Sequence, residues 1–161
     1  NSFDIIIANH MMYHVPDRDR ALSEIKRTLK DDGVFYATTM ENGYMKEMRD
    51  LLCEYRKVPV SGSRSGGVID NFSLSSAAGQ LERHFGSMGL KVYSNTLVVT
   101  DAAPFTEYVI SCNHMITGRT LLRENEKERF SDFISERIDK SSGIKFSADA
   151  GIFICRKALK D

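Results

Sequence analysis

The first ten residues contain the feature that most constrains the fold, an isoleucine-rich apolar run that ends in polar side chains. Phe3–Ala8 reads Phe-Asp-Ile-Ile-Ile-Ala, and Asn9 and His10 follow it directly. Apolar residues at successive positions predict a strand covered on both faces, as in a parallel sheet. Ligands of open α/β sheets bind outside the carboxyl ends of such strands. The run therefore predicts an α/β protein with Asn9 and His10 at a ligand-binding edge.

The next thirty residues complete a strand–helix–strand unit. Asp17 is a suitable N-cap for a helix over residues 18–30, whose apolar residues recur at helical spacing. Asp31–Gly33 is predicted to form a turn, with Gly33 in the left-handed conformation that ends helices. Residues 34–39 then read as a second strand. Such a unit is expected to have parallel strands and a right-handed connection.

The remainder of the chain predicts alternating helices and strands. Leu90–Thr100 is expected to form one strand unless Ser94 and Asn95 interrupt it, and Ile144–Arg156 is expected to close the fold. Apolar spacing predicts helices over about 43–56, 75–85, Phe105–Ile116 and Phe130–Ile138.

Composition excludes several classes of function. Lys and Arg number 22, as do Asp and Glu, so the net charge is zero and no basic footprint for nucleic acid or for a membrane surface is present. No apolar stretch approaches the roughly 20 residues of a membrane span, and the start does not read as a signal peptide. Cys53, Cys112 and Cys155 are far apart, which predicts buried free thiols, no metal site and a cytoplasmic location.

The opening strand and the segment after it resemble a known family. Phe3–Asp17 combines a Phe-Asp apolar strand with Asn9 and a later His-Val pair, and Ala21–Phe35 contains Leu-x-Glu-Ile-x-Arg-x-Leu-Lys-x-x-Gly. Over about forty residues this pattern resembles class I S-adenosylmethionine-dependent methyltransferases, in particular the small-molecule group called type 11. The two strands would then be the fourth and fifth of that family's seven-stranded sheet.

The resemblance implies a partial Rossmann-like sheet in the order 4, 5, 7, 6, flanked by helices, with the last strand antiparallel. Residues 1–161 would form the carboxyl-terminal half of one domain, with a helical insertion or lid at about 43–72 and a second helical insertion at about 104–140. The family's glycine-rich cofactor loop and the acidic residue after its second strand have no counterpart here. We therefore expect the isolated chain to be inactive and to bind no measurable S-adenosylhomocysteine.

The same resemblance implies roles for the residues at the sheet edge. We expect these residues to contact a small-molecule acceptor or the methionine end of S-adenosylmethionine, and His14 is a weak candidate for a base. The expected cofactor contacts are Ala8, Asn9, His10 and Met11, and the expected substrate contacts are Tyr13, His14 and Glu41.

Two other functions compete with this interpretation. One is a non-catalytic binding or oligomerisation module derived from a methyltransferase fold. The other is part of a nicotinamide-dependent dehydrogenase, which is disfavoured because no Tyr-x-x-x-Lys pair stands in a suitable place. In either enzyme or module, an unpartnered Phe3–Ala8 strand would template pairing with another chain, so we expect self-association through it.

Overall fold

The computed structural model describes residues 1–58, 67–113 and 120–157, which form two compact units. The first unit comprises the described parts of Asn1–Asn42, Val68–Ser94 and Asp149–Asp161, and the second comprises those of Gly43–Gly67 and Asn95–Ala148. The strands are β1 (Phe3–Asn9), β2 (Leu29–Met40), β3 (Ser87–Tyr93), β4 (Thr96–Val99), β5 (Ile144–Ser147) and β6 (Ala150–Arg156). The helices are α1 (Arg18–Thr28), α2 (Lys46–Tyr55), α3 (Leu74–Glu82), α4 (Ala102–Ser111) and α5 (Lys127–Ser141).

The first unit is built on a four-stranded sheet in the order β1-β2-β6-β3. β1 and β2 are parallel, and β6 is antiparallel to both β2 and β3. β6 therefore separates two strands that run in the same direction. This arrangement confirms the expected order 4, 5, 7, 6 with an antiparallel final strand.

The core of the first unit lies between the sheet and the helices α1 and α3. Leu22 of α1, Leu81 of α3 and Phe35 of β2 are buried in it, and the Phe35 ring stacks on Phe85 with centroids 5.5 Å apart. Asp17 caps α1 as predicted, since its side chain accepts a hydrogen bond from the Arg20 backbone N–H at 3.0 Å. The capped helix thus leads directly back into β2.

The prediction of a turn at Asp31–Gly33 is wrong, because these residues lie within strand β2. The pairing passes from Phe3↔Leu29 to Ile5↔Val34, so β2 contains extra residues at this point. Gly33 does not adopt a positive φ. Its backbone instead passes close to Leu29 and β1: a Cβ at Gly33 would lie 2.8 Å from the Leu29 side chain and 3.0 Å from the Asp4 carbonyl oxygen.

The expectation that β1 is covered on both faces is wrong for this structure. Ile6 and Ala8 pack in the core, whereas Phe3, Ile5 and Ile7 on the opposite face are 53%, 57% and 61% exposed. Along residues 1–58, 67–113 and 120–157 no strand pairs with the outer edge of β1. β1 is thus an edge strand in the described sheet. Its odd-numbered side chains are exposed because the core of the first unit packs on the opposite face of the strand.

The second unit consists of a two-stranded sheet and three helices. β4 and β5 pair antiparallel, with Leu97 opposite Phe146. Helices α2, α4 and α5 supply the other apolar side chains of its core, among which Phe105, Phe130 and Ile134 are buried. The predicted strand 90–100 is interrupted at Ser94–Asn95, the alternative that the sequence left open, and the predicted strand 144–156 is divided at Ala148–Asp149. The two halves of each segment lie in different sheets.

Predicted helix positions agree with the structure to within a few residues. α2, α3 and α5 begin and end near their expected bounds, and α4 occupies Ala102–Ser111. Ile116, the last residue of the expected apolar stripe, lies outside the described residues. The proposal that 43–72 and 104–140 are insertions stays a prediction. No helix in the described parts of the chain is long and apolar enough to cross a membrane.

Candidate functional site

The carboxyl end of β1 holds the first group of predicted site residues. Ala8 is buried, whereas Asn9 and His10 are exposed. The Asn9 side chain accepts a hydrogen bond from the Thr38 hydroxyl at 3.3 Å, and the His10 backbone N–H contacts both the carbonyl and the hydroxyl oxygen of Thr38 at 3.1 Å. Thr38 of β2 therefore fixes the backbone and one side chain at the end of β1.

His10 has an unusual backbone conformation. Its φ of 48° lies in the left-handed region, which side chains other than glycine rarely adopt. Such conformations cost free energy and persist where the surrounding structure requires them, most often at functional sites. The two hydrogen bonds to Thr38 hold His10 in this conformation, with its imidazole exposed at the sheet edge.

A short 3-10 helix, Met12–His14, follows the strand. It places some of the other predicted site residues at the surface and others in the core. Met12 and Tyr13 are buried in the core of the first unit. Met11 and His14 are exposed, and the His14 ring packs on Tyr13 with centroids 4.6 Å apart. The segment thus places Met11 and His14 at the surface and Tyr13 beneath them.

Glu41 lies just beyond the end of β2, where a hydrogen-bond network holds it. Its Oε1 accepts hydrogen bonds from the Ser75 hydroxyl at 2.5 Å and from the Asn42 backbone N–H at 2.6 Å. The Glu41 backbone N–H in turn donates to the Asp149 carbonyl at 3.0 Å. The Glu41 carboxylate is therefore fixed between β2 and α3.

Two residues near this edge were missed by sequence reasoning. The buried Thr39 hydroxyl donates to the Phe72 carbonyl at 2.5 Å, which ties β2 to the segment before α3. Ser73 caps α3 by accepting the Ser76 backbone N–H at 3.1 Å, and this capping orients Ser75 toward Glu41. The Ser-x-x-Ser spacing was a signal for the cap, but the contact of Ser75 with Glu41, 34 residues away, had none.

The site offers hydrogen-bond acceptors and no fixed positive charge. Residues 8–11 include neither lysine nor arginine, and the nearest ion pair on β1 joins Asp4 to Lys30 at 2.8 Å. That hydrogen bond and the lysine charge lower the pKa of Asp4. Among the described residues no group of three His, Cys, Asp or Glu side chains is placed to hold a metal ion.

A family comparison matches the segment that contains these residues. Residues 1–37 match the model of a family described as a methyltransferase domain, Methyltransf_11. The matched segment includes β1, α1, most of β2 and all predicted site residues except Glu41. A search of curated proteins gives no match.

Solved structures share the fold over almost the whole chain. A candidate methyltransferase from Bacillus halodurans has a TM-score of 0.54 and 16% identity over 98% of this chain, and the YcgJ protein from Bacillus subtilis has a TM-score of 0.50 and 18% identity over 98%. A phosphoethanolamine N-methyltransferase from Haemonchus contortus, solved with S-adenosylhomocysteine, has a TM-score of 0.44 and 14% identity over 99% of this chain and 34% of its own. The chain spans 65% of the length of each of the two Bacillus proteins.

The fold comparison and the family match agree with each other. The chain has the fold of class I S-adenosylmethionine-dependent methyltransferases, with four strands in the order and directions expected from the resemblance. Its first 37 residues match the type 11 methyltransferase-domain model. The resemblance inferred from residues 3–35 is thereby confirmed.

Proposed function

We propose that this chain contributes one wall of the cofactor site in an enzyme that transfers a methyl group from S-adenosylmethionine to a small-molecule acceptor. The observation that carries the proposal is the end of β1, where Asn9 and a strained His10 lie exposed at the edge of a methyltransferase-type sheet. The family match covers this same segment.

The residues at this edge fit the methionine end of the cofactor. That end carries a sulfonium, an ammonium and a carboxylate group, and the two cationic groups can be received by hydrogen-bond acceptors such as amide and imidazole side chains. Asn9 supplies an amide oxygen and His10 an imidazole, and both are exposed beside the buried Ala8. Met11, 43% exposed, supplies a polarizable apolar contact.

When bound, S-adenosylmethionine supplies an electrophilic methyl group that needs little covalent help from the protein. The enzyme accelerates transfer mainly by holding the acceptor in line with that group and by excluding water. A base is needed only where the acceptor loses a proton in the reaction. Asn9 and His10 would orient the cofactor, and Thr38 would hold both residues in place.

The acceptor contacts follow from the same edge. Glu41 engages Ser75 and Asn42 through Oε1, so its Oε2 is available to a substrate hydroxyl or amine. His14 is exposed and supported by the Tyr13 ring, and it is the candidate base. Tyr13 would act as a buried support for the acceptor pocket.

A His10→Gly variant tests this role. Glycine adopts positive φ without steric cost, so the substitution is expected to stabilise the fold by about 1 kcal/mol. Loss of the imidazole is expected to weaken S-adenosylhomocysteine binding about tenfold, measured by calorimetry on the natural full-length protein. Residues 1–161 alone are expected to give no measurable binding heat.

Lys57→Gly is the matched control. Lys57 also has a positive φ of 53°, is exposed and lies in the second unit. It should gain similar stability with no change in cofactor affinity. If the His10→Gly protein binds S-adenosylhomocysteine as tightly as the parent, His10 has only a conformational role and the proposed wall is wrong.

The exposed face of β1 favours a second property, association with another copy of this chain. Two identical edge strands can pair about a two-fold axis, which would satisfy their free backbone groups and place Phe3, Ile5 and Ile7 of the two copies side by side on one face. The strand's one charged side chain, Asp4, is neutralised by Lys30, so two copies meet little electrostatic repulsion. A non-catalytic module would use the same surface.

Ile7→Lys tests the association. A lysine on an edge strand opposes pairing, so this variant is expected to sediment as a monomer under conditions in which the 161-residue chain is a dimer. Val92→Lys, at a 56% exposed position on the opposite edge strand β3, is the control and should remain dimeric. A monomeric parent chain, or equal dissociation of both variants, contradicts pairing through β1.

We also propose a cytoplasmic location, and the free thiols of the chain support it. Cys53, Cys112 and Cys155 are free. Burial raises the pKa of the Cys155 thiol to about 12, so it stays protonated and unreactive at neutral pH. Free thiols of this kind are typical of reducing compartments.

A further inference from the structure

The second unit contains a cavity of about 360 Å³ that the proposed methyl transfer does not use. It is open on one side and lies among the start of α2, strand β4 and helix α4. Its lining includes Tyr44, Leu97, Val99, Asp101, Phe105 and Tyr108. The volume lies in the range of pockets that hold small organic molecules.

The walls of this cavity are held by contacts among its own residues. The Tyr108 hydroxyl donates a hydrogen bond to the Met45 sulfur at 3.4 Å, which joins α4 to the start of α2. The Phe105 ring packs on Phe146 of β5 with centroids 4.9 Å apart and is itself buried. The cavity is thus preformed, and its aromatic lining does not depend on a ligand for its position.

The lining combines aromatic rings with one negative charge. Tyr44, Phe105 and Tyr108 present π-systems, and Asp101 is the charged residue of the lining. Within the described residues the Asp101 carboxylate forms no ion pair.

The charge balance at the cavity remains negative. Asp101 Oδ1 accepts the Ala103 backbone N–H at 3.0 Å as the N-cap of α4. A helix N-terminus offsets only about half an elementary charge. Lys145, which pairs with Val98 in the β4–β5 register, is not among the residues that line the cavity. The cavity therefore favours a positively charged ligand.

We propose that this cavity binds a small organic cation, a protonated amine attached to an apolar body. The apolar part would contact Leu97, Val99 and Phe105, whereas the ammonium would lie near Asp101 and the tyrosine faces. Aromatic faces attract ammonium groups through their quadrupoles, and a nearby carboxylate adds to this attraction. The site is separate in its residues from the proposed cofactor wall, so either proposal can fail without the other.

The test uses 2-phenylethylamine and its uncharged analogue 2-phenylethanol as probes. Each is titrated into ¹⁵N-labelled protein, and binding is measured by NMR from the amide shifts of residues 97–108. The amine is expected to bind more tightly than the alcohol. Added salt should weaken the binding of the amine only, because salt screens charge interactions.

Asp101→Asn isolates the contribution of the carboxylate. Asparagine is as good an N-cap as aspartate, so α4 is expected to remain folded. The variant should bind the amine about threefold to fivefold more weakly, as expected for a partly exposed charge pair, and should bind the alcohol as before. Asp132→Asn, at an exposed position on α5, is the control and should bind both probes like the parent.

Tyr108→Leu tests the aromatic side of the cavity and is expected to weaken the binding of both probes. The proposal is overturned if neither probe shifts residues 97–108. It is also overturned if amine and alcohol bind equally, or if Asp101→Asn and Asp132→Asn weaken the amine to the same extent.

Discussion

Replacing Gly151 by alanine is expected to lower the free energy of unfolding of the first unit by about 2–3 kcal/mol. Gly151 lies in β6, where it pairs with Thr39 on one side and with Val92 on the other. A Cβ there would lie 2.8 Å from both the Leu74 Cδ2 and the Lys91 carbonyl oxygen. Leu74 can adjust its rotamer, but the Lys91 oxygen belongs to the backbone of the neighbouring strand. Urea denaturation followed by circular dichroism measures the loss.

Gly89→Ala is the matched control for this prediction. Gly89 also lies in a strand of the same sheet, and a Cβ at this position would meet nothing within 4 Å. Because glycine is entropically costly in a strand, this variant is expected to be neutral or slightly stabilised. Equal losses in the two variants would show that the cost at Gly151 does not come from the close approach of β3.

Phe130→Ala is expected to destabilise the second unit by about 3–5 kcal/mol. Phe130 is fully buried on α5, with its ring centroid 5.1 Å from Tyr55, 6.4 Å from Phe105 and 6.0 Å from Phe133. Truncation removes apolar contacts with three aromatic neighbours at once and leaves a cavity that the rigid rings cannot fill. Thermal unfolding monitored by circular dichroism is the measurement.

Phe133→Ala on the same helix is the control. Phe133 is only partly buried, and its ring lies beneath the Arg137 guanidinium at 3.3 Å. The loss of partial burial and of one cation–π contact is expected to cost about 1–2 kcal/mol. If Phe133→Ala lowers the stability as much as Phe130→Ala does, the difference in burial does not determine how much each side chain contributes to stability.

The sequence predicted the sheet of the first unit because its signals are local. Consecutive apolar residues, a capped helix and a second strand lie within forty residues, and the family pattern supplied the strand order. The Asp31–Gly33 segment misled the prediction because polar residues with a glycine are typical of turns, whereas here they lie in a strand whose register shifts. The exposure of one face of β1 depends on which elements pack over that face, and the residues of β1 do not determine this.

The interruption at Ser94–Asn95 had a local signal in its two polar residues, whereas the division at Ala148–Asp149 and the pairing of the resulting strands had none. β3 and β4 are both β-prone, and only their partners distinguish them: β3 pairs with β6, and β4 pairs with β5. By contrast, the edge residues Asn9 and His10 could be identified from the sequence, because they directly follow a predicted strand. The Ser75–Glu41 contact could not, since it depends on how α3 packs against β2.

The central place of β6 in the sheet has a consequence for synthesis of the protein. β2 and β3 are both synthesised before β6. They do not pair with each other, because β6, which ends at Arg156, lies between them in the sheet. The β1–α1–β2 unit can therefore form before β3 has a strand to pair with. The sheet closes only when Ala150–Arg156 has emerged, so a stop codon shortly before this segment would remove the strand that unites the first unit.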